Sequence, residues 1–89
     1  MPTRDMEIIN QLGMHARAAA EFTKLASRFN ASIFVVREGT EVNGKSIMGV
    51  LMLAAFCGST ITVRAEGVDE DAALHALAAL VENKFGEDR

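Results

Sequence analysis

His15 and Arg17 stand two residues apart, just after Gly13, and are the first side chains along the chain whose types and spacing could do chemistry. Gly13 lets the backbone turn sharply, and an apolar helical stripe begins just beyond, at Ala18. A side chain at a helix start lies beside unpaired N–H groups at the positive end of the helix dipole. That setting disfavours an imidazolium and welcomes an anion. Arg17 adds a guanidinium, whose fork suits phosphate. A neutral ring nitrogen, helix-end donors and an arginine make a site for reversible attachment of a phosphoryl group to the ring. The same spacing is met by a His15 that only caps the helix while Arg17 pairs with Glu21 four residues on. The residues alone leave both readings open.

Ser46 precedes a short apolar run and reads as the cap of a helix through Leu53. That run, Ile47, Met48, Val50, Leu51, Met52 and Leu53, is too apolar for a helix that buries one stripe, so Met48 and Leu53 cannot both be hidden. An exposed apolar patch would mark a docking surface. Residues 39–46 also fit the phosphate-loop pattern G-x-x-x-x-G-K-[ST] letter for letter. Glu41 would put a carboxylate into that cradle, and the next strand lacks the buried run ending in Asp that would hold magnesium. A nucleotide site is therefore not expected. His75 shares a polar helix face with Asp71 and Glu82, has no partner at metal-ligand spacing and reads as solvated. Cys57 reads as a small packed hydrophobe. No metal and no cofactor are expected.

The elements that must position these groups follow from the periodicity. Met6 to Leu12 alternates loosely and reads as a strand. Ala18, Phe22, Leu25 and Phe29 fall on one helix face, opposite Arg17, Glu21, Lys24 and Arg28, which predicts a helix over 16–29. Ser32 to Arg37 is β-branched and aromatic, hence a strand. Glu38-Gly39 turns the chain into a short returning strand, Thr40 to Asn43. Thr60 to Glu66 alternates and predicts a strand with one wet face. Asp69 would cap a last helix whose stripe runs from Leu74 to Phe85, with Gly86 just past its end. The order β-α-β-β-α-β-α, with half-polar strands and amphipathic helices, implies an α+β open-faced sandwich: a four-stranded antiparallel sheet with three helices on one face.

Composition narrows the function classes. Of the 89 residues, 49% are apolar and 24% charged, as in ordinary globular domains. One small domain over 1–89 is expected, too small for a deep two-lobed cleft. The net charge is −3 without a basic run, which argues against nucleic acid. The charge is uneven: residues 1–65 carry +2 and residues 66–89 carry −5. The longest apolar run, Ile47 to Cys57, falls short of the ~20 residues that cross a bilayer. No secretory pattern opens the chain and its one cysteine makes no internal disulfide, so a cytoplasmic protein without membrane insertion is expected.

Two segments carry a family resemblance. Gly13-Met14-His15-Ala16-Arg17-Ala18-Ala19 resembles the active-site segment of the histidine-containing phosphocarrier (HPr) family of the bacterial phosphoenolpyruvate-dependent phosphotransferase system. Asn43-Gly44-Lys45-Ser46-Ile47-Met48-Gly49-Val50 resembles that family's regulatory-serine segment. Both lie in register with the family's element order, so the resemblance covers nearly the whole chain. Ala18 stands where the family usually has proline, which stiffens a first helical turn; alanine is a good helix former, and the expected effect on His15 is modest. The Leu12-to-Arg17 wording is nearer to the nitrogen-related branch (NPr) than to the sugar-uptake branch.

The resemblance implies that His15 is phosphorylated on Nδ1 and that Arg17 stabilises the phosphoryl group. It implies a phospho-enzyme I as donor and an enzyme IIA domain as acceptor. It further implies regulation at Ser46 by an HPr kinase/phosphorylase, and partner binding by Ile47, Met48 and Leu51. Such a chain is a phosphoryl carrier rather than a self-contained enzyme, and a monomer is expected because its docking face must stay free. The competing class is a non-carrier module of the same fold that acts through Ser46 and the Met48 patch. A small nucleotide-binding enzyme would need ATP binding that depends on Lys45.

Overall fold

The β-branched and aromatic stretch Ser32–Arg37 (β2) takes an interior place in the sheet. The computed structural model of the chain describes residues 2–89. Strands Thr3–Glu7 (β1), Thr40–Asn43 (β3) and Thr60–Glu66 (β4) complete a four-stranded antiparallel sheet in the order β1-β4-β2-β3. Val35 lies opposite Val63, and Met6 opposite Ile61. Alternation along the central strands sends Ile33, Val35, Ile61, Val63 and Ala65 into the core, while Phe34, Thr62 and Arg64 take the other face. Helices Ala16–Ala26 (α1), Ile47–Met52 (α2) and Glu70–Glu82 (α3) contribute the matching apolar side, led by Phe22, Val50, Leu74, Leu77 and Val81. Phe22 is fully enclosed; truncating so buried an aromatic typically costs about 3–5 kcal/mol.

This is the α+β sandwich that the periodicity predicts, and β2, β3 and β4 keep the expected limits. The Glu38-Gly39 turn has positive φ at both residues, 50° and 83°, the geometry that matches the right-handed twist of a two-residue hairpin. The first strand is shifted from the expected 6–12 to 3–7. β1 lies at the sheet edge, where Thr3, Arg4, Asp5 and Glu7 are exposed and only Met6 is buried, so apolar alternation undercounts it. Ile8 still bonds to Ser59 O and Gly58 N, and residues 9–12 leave the ladder. α1 stops at Ala26 rather than Phe29, and the next turn tightens into bonds from Arg28 N to Leu25 O and Phe29 N to Ala26 O. The last helix ends at Glu82. Phe85 still reaches the core, but from a 3-10 turn, Lys84–Gly86, in which its own φ is 55°.

Asp69 occupies the N-cap position of α3 without capping it. Its carboxylate crosses to the turn after α1 and accepts the backbone N–H groups of Asn30 and Ala31, each at 2.8 Å. These donors fall between α1 and β2 and have no ladder partner, so a carboxylate there answers a stronger need than the cap. The Asn30 bond, helped against some desolvation by Ala31, the backbone N–H of Asp69 itself and the Lys45 charge, holds the Asp69 carboxyl below its ordinary range. A lowered folded-state value means stability present above the unfolded pKa and lost as pH falls through the folded one. Asp69→Asn is therefore expected to lower the melting temperature at pH 7 and to flatten its decline below about pH 4, read by calorimetry across pH. An unchanged acid limb would sink this account.

Candidate functional site

The site is built on the turn that joins β1 to α1. Gly13 has φ +67°, and a Cβ there would lie 2.7 Å from Ala55 O and 2.9 Å from Phe56 Cα. Only glycine gives both the left-handed conformation and that close approach. Met14 N donates to Ala55 O at 2.8 Å, which fastens the turn to the segment after α2. Asn10 is fully buried. Its Nδ2 donates to Gly13 O at 2.8 Å, and Gly13 N donates to Asn10 O at 3.1 Å, so the turn is closed from both sides.

His15 follows as the N-cap residue of α1, in extended conformation, and its carbonyl accepts Ala19 N at 2.8 Å. Its ring does not cap the helix. It turns instead to the C-terminal tail, where Nε2 is hydrogen-bonded to Oε2 of Glu87. The other carboxylate oxygen, Oε1, accepts Asn10 Nδ2 at 2.9 Å. Gln11 N donates to Arg89 O at 3.0 Å and holds the tail against the turn. The His15 side chain keeps 30% of its surface, whereas Glu87 keeps 11%. Desolvation pushes the Glu87 carboxyl up, but hydrogen bonds from Asn10 and His15 and the charges of His15 and Arg17 outweigh it, and the group is held below its ordinary range.

Arg17 is exposed and makes no ion pair among the described residues, so the pairing with Glu21 that would have kept it structural is absent. It lines an open depression of about 600 Å³ together with Gln11, Leu12, His15, Glu87, Asp88 and Arg89. One imidazole and two guanidiniums thus border one open surface at a helix start, together with the carboxylates of Glu87 and Asp88.

Ser46 caps α2 as its position predicts: its hydroxyl accepts Gly49 N at 3.2 Å. Leu53, at the C-cap of α2, is buried and Met48 is 65% exposed, the split that helical geometry requires. Ile47 is exposed and Leu51 is half-buried against the core. Met52, Leu12 and Phe56 are more exposed than Leu51, and Leu12 and Phe56 adjoin the His15 turn. Met52 belongs to the run already read as too apolar to bury, whereas Leu12 and Phe56 lie in turns, where periodicity says nothing. Arg37 is also unannounced: Nη1 donates to Leu53 O at 3.0 Å and the guanidinium lies 4.8 Å from the Phe56 ring centre. It thereby braces the segment that supports Gly13.

Residues 40–43 of the phosphate-loop pattern form β3, and Lys45 Nζ donates to Phe29 O at 2.8 Å, so no cradle exists. Cys57 is exposed rather than packed, because the chain turns at Phe56–Gly58 and sets the thiol outside, 3.8 Å from Ile9 O. His75 is exposed on α3 as expected. No helix among the described residues is long and apolar enough to cross a membrane.

Fold and site together define a class: an open-faced α+β sandwich that displays one half-exposed histidine at a helix start. Comparison with known proteins agrees. Residues 2–83 match the family described as "PTS HPr component phosphorylation site". The phosphocarrier protein HPr of Cupriavidus necator is 53% identical over 87 residues, 98% of each chain, and the phosphocarrier protein NPr of Shewanella violacea is 46% identical over 94% of this chain and 92% of its own. A crystal structure of HPr-C-His from Thermoanaerobacter tengcongensis superposes with a TM-score of 0.96 at 44% identity over all of both chains. The chain belongs to the HPr family of phosphotransferase-system phosphocarriers, among relatives bearing both branch names.

Gly13→Ala tests how far the turn governs the site. The left-handed backbone alone costs an alanine about 1–2 kcal/mol, before the approach to Ala55 O is relieved. The variant should unfold at lower denaturant and shift the His15 ring signals in NMR. Ring signals identical to those of the parent chain would show that the turn does not govern the ring.

Proposed function

We propose that the chain, acting as one domain over 1–89, relays a phosphoryl group through Nδ1 of His15 from phospho-enzyme I, charged by phosphoenolpyruvate, to an enzyme IIA domain. The observation that carries this reading is the ring itself. Its Nε2 is engaged by Glu87, which leaves Nδ1 as the second ring nitrogen, and the ring stands at the start of α1 and lines one depression with Arg17. The lone pair of Nδ1 attacks phosphorus in line, the bond to the donor breaks, and the electron pair leaves with the donor. Arg17 and the helix-start donors bear the charge on the phosphoryl oxygens. The depression is open enough for a second protein's histidine to approach the same phosphorus afterwards.

Docking falls to the exposed apolar side chains: Ile47, Met48 and Met52 with half-buried Leu51 on α2, and Leu12 and Phe56 next to the His15 turn. The chain works as a monomer in the cytoplasm with this face free. A phosphate placed on Ser46 by an HPr kinase/phosphorylase would bring nearly two negative charges to the edge of that patch. Asp is as good an N-cap as Ser, so Ser46→Asp should leave the melting temperature within a degree or two while lowering kcat/KM for loading by enzyme I. Ser46→Ala should do the reverse, losing about 1 kcal/mol of stability with loading intact. Equal loading of all three chains would remove Ser46 from the regulatory reading.

The direct test incubates the chain with phosphoenolpyruvate, magnesium and enzyme I and follows mass. One added acid-labile phosphate is expected, absent in His15→Ala and formed on the order of 10²-fold more slowly in Arg17→Ala. No transfer from the organism's own enzyme I would overturn the carrier reading and favour the non-carrier module acting through Ser46 and the Met48 patch.

A further inference from the structure

The sheet ends in two edge strands, and an edge strand leaves a row of backbone N–H and C=O groups without a neighbour. One edge, β3, is only four residues long; the other is β1. Two bonds fix the parity of the β1 ladder: Ala65 N donates to Pro2 O and Ile8 N donates to Ser59 O. Antiparallel pairing alternates, so Arg4 and Met6 turn their backbone groups to β4, and Thr3, Asp5 and Glu7 turn theirs outward. Those outward groups have no backbone partner among the described residues. Met6 faces the core, so the side chains of Thr3, Asp5 and Glu7 stand on the open face of the sheet, where Thr62 Oγ1 donates to Asp5 Oδ1 at 2.7 Å. Beside this edge a groove of about 190 Å³ lies between β1 and α3, with apolar lining from Met6, Ile9, Ala78 and Val81. That is below the ~300 Å³ at which small-molecule sites begin, and it suits one large apolar side chain. The charged lining is acidic: Asp5, Glu7 and Glu82 against Arg4, whose guanidinium lies 3.7 Å from Glu82. None of these residues lines the depression at His15.

We propose that the free edge of β1 is a strand-addition site for an extended segment of a partner protein with the pattern basic–apolar–basic. The added strand runs antiparallel to β1 and pairs its N–H and C=O groups with those of Thr3, Asp5 and Glu7. Its side chains directly opposite Asp5 and Glu7 share the open face with two carboxylates, which selects Lys or Arg there. The residue between them lies opposite Met6, points to the α3 side and enters the apolar groove. A second copy of this chain is a poorer occupant. Outward groups pair with outward groups, so two β1 strands in full antiparallel overlap set Asp5 against Asp5, and like charges directly opposite repel. The acids that turn away another β1 are the ones that attract a basic strand. Because the groove and the depression at His15 have no residue in common, the added strand leaves the ring accessible.

The test titrates the full ¹⁵N-labelled chain with a capped peptide, Thr-Lys-Leu-Lys-Leu-Lys-Thr, and follows backbone amides by NMR. Saturable shifts are expected at Thr3, Asp5 and Glu7, with slower exchange of those three N–H groups and unchanged His15 ring signals. N-methylation separates strand addition from plain charge attraction without altering the protein. In the proposed register the lysine N–H groups face β1 and the leucine N–H groups face away. Methylating the lysine amides should therefore abolish the shifts, and methylating the leucine amides should leave them. The double variant Asp5→Lys/Glu7→Lys, its fold checked by circular dichroism, should bind the peptide about tenfold more weakly. Equal binding of both methylated peptides, shifts confined to the exposed acids of α3, or no saturable shift up to about 1 mM peptide would overturn the proposal. Broadening of the β1 amides with protein concentration in the absence of peptide would do so too, by giving the edge to a second copy.

Discussion

The buried amide of Asn10 is the constraint on which the active surface depends. It is sealed from solvent, so its N–H groups must find acceptors inside the protein, and they find two: the carbonyl of Gly13 and the carboxylate of Glu87. The first bond closes the turn that aims His15. The second draws the tail across the start of α1 and places a charge against the ring. The amide oxygen has no partner among the described residues, so the orientation is set wholly from the donor side. One side chain thereby determines where the imidazole stands and what stands beside it.

Around this pivot the scaffold is stiff where the site needs it. The sheet supplies a flat apolar floor, and α1 rises from the turn with Phe22 locked in the core beneath it. From the other side, Ala55 and Phe56 press so closely on Gly13 that no side chain fits between them. Arg37 holds that segment from the end of β2 by bonding to Leu53 O and lying over Phe56. An exposed aromatic is thus kept in place by a cation rather than by burial. The result is a firm local frame around a ring that itself remains open to a partner.

Much of this was legible in the residues, and the remainder was hidden for physical reasons. The stripes of α1 and α3 and the β-branched runs of β2 and β4 are dictated by burial on one face, and burial leaves a periodic trace. β1 leaves almost none, because an edge strand with one buried residue has no apolar alternation to display. Asp69 sits at the expected helix start but bonds elsewhere, since a helix-start motif cannot say whether unpaired donors on another segment compete for its carboxylate. His15 and Arg17 stood out by local spacing. Glu87 could not, because its bond spans most of the chain, and an acid in a charged tail looks like any solvated acid. The run 54–58 reads as packed by composition, but its turns face outward and leave Phe56 and Cys57 in solvent.

The bond between the ring and the tail also has a meaning in time. Synthesis reaches His15 early and Glu87 only 72 residues later, after the last strand and the last helix have been made. β1 likewise waits for β4 before Met6 can face Ile61. A chain still emerging from the ribosome therefore has its histidine but not the surroundings of that histidine. The complete constellation of turn, helix start and acid exists only once the chain has been made through Glu87 and has folded, so the molecule presents its histidine in this form only after that segment is in place.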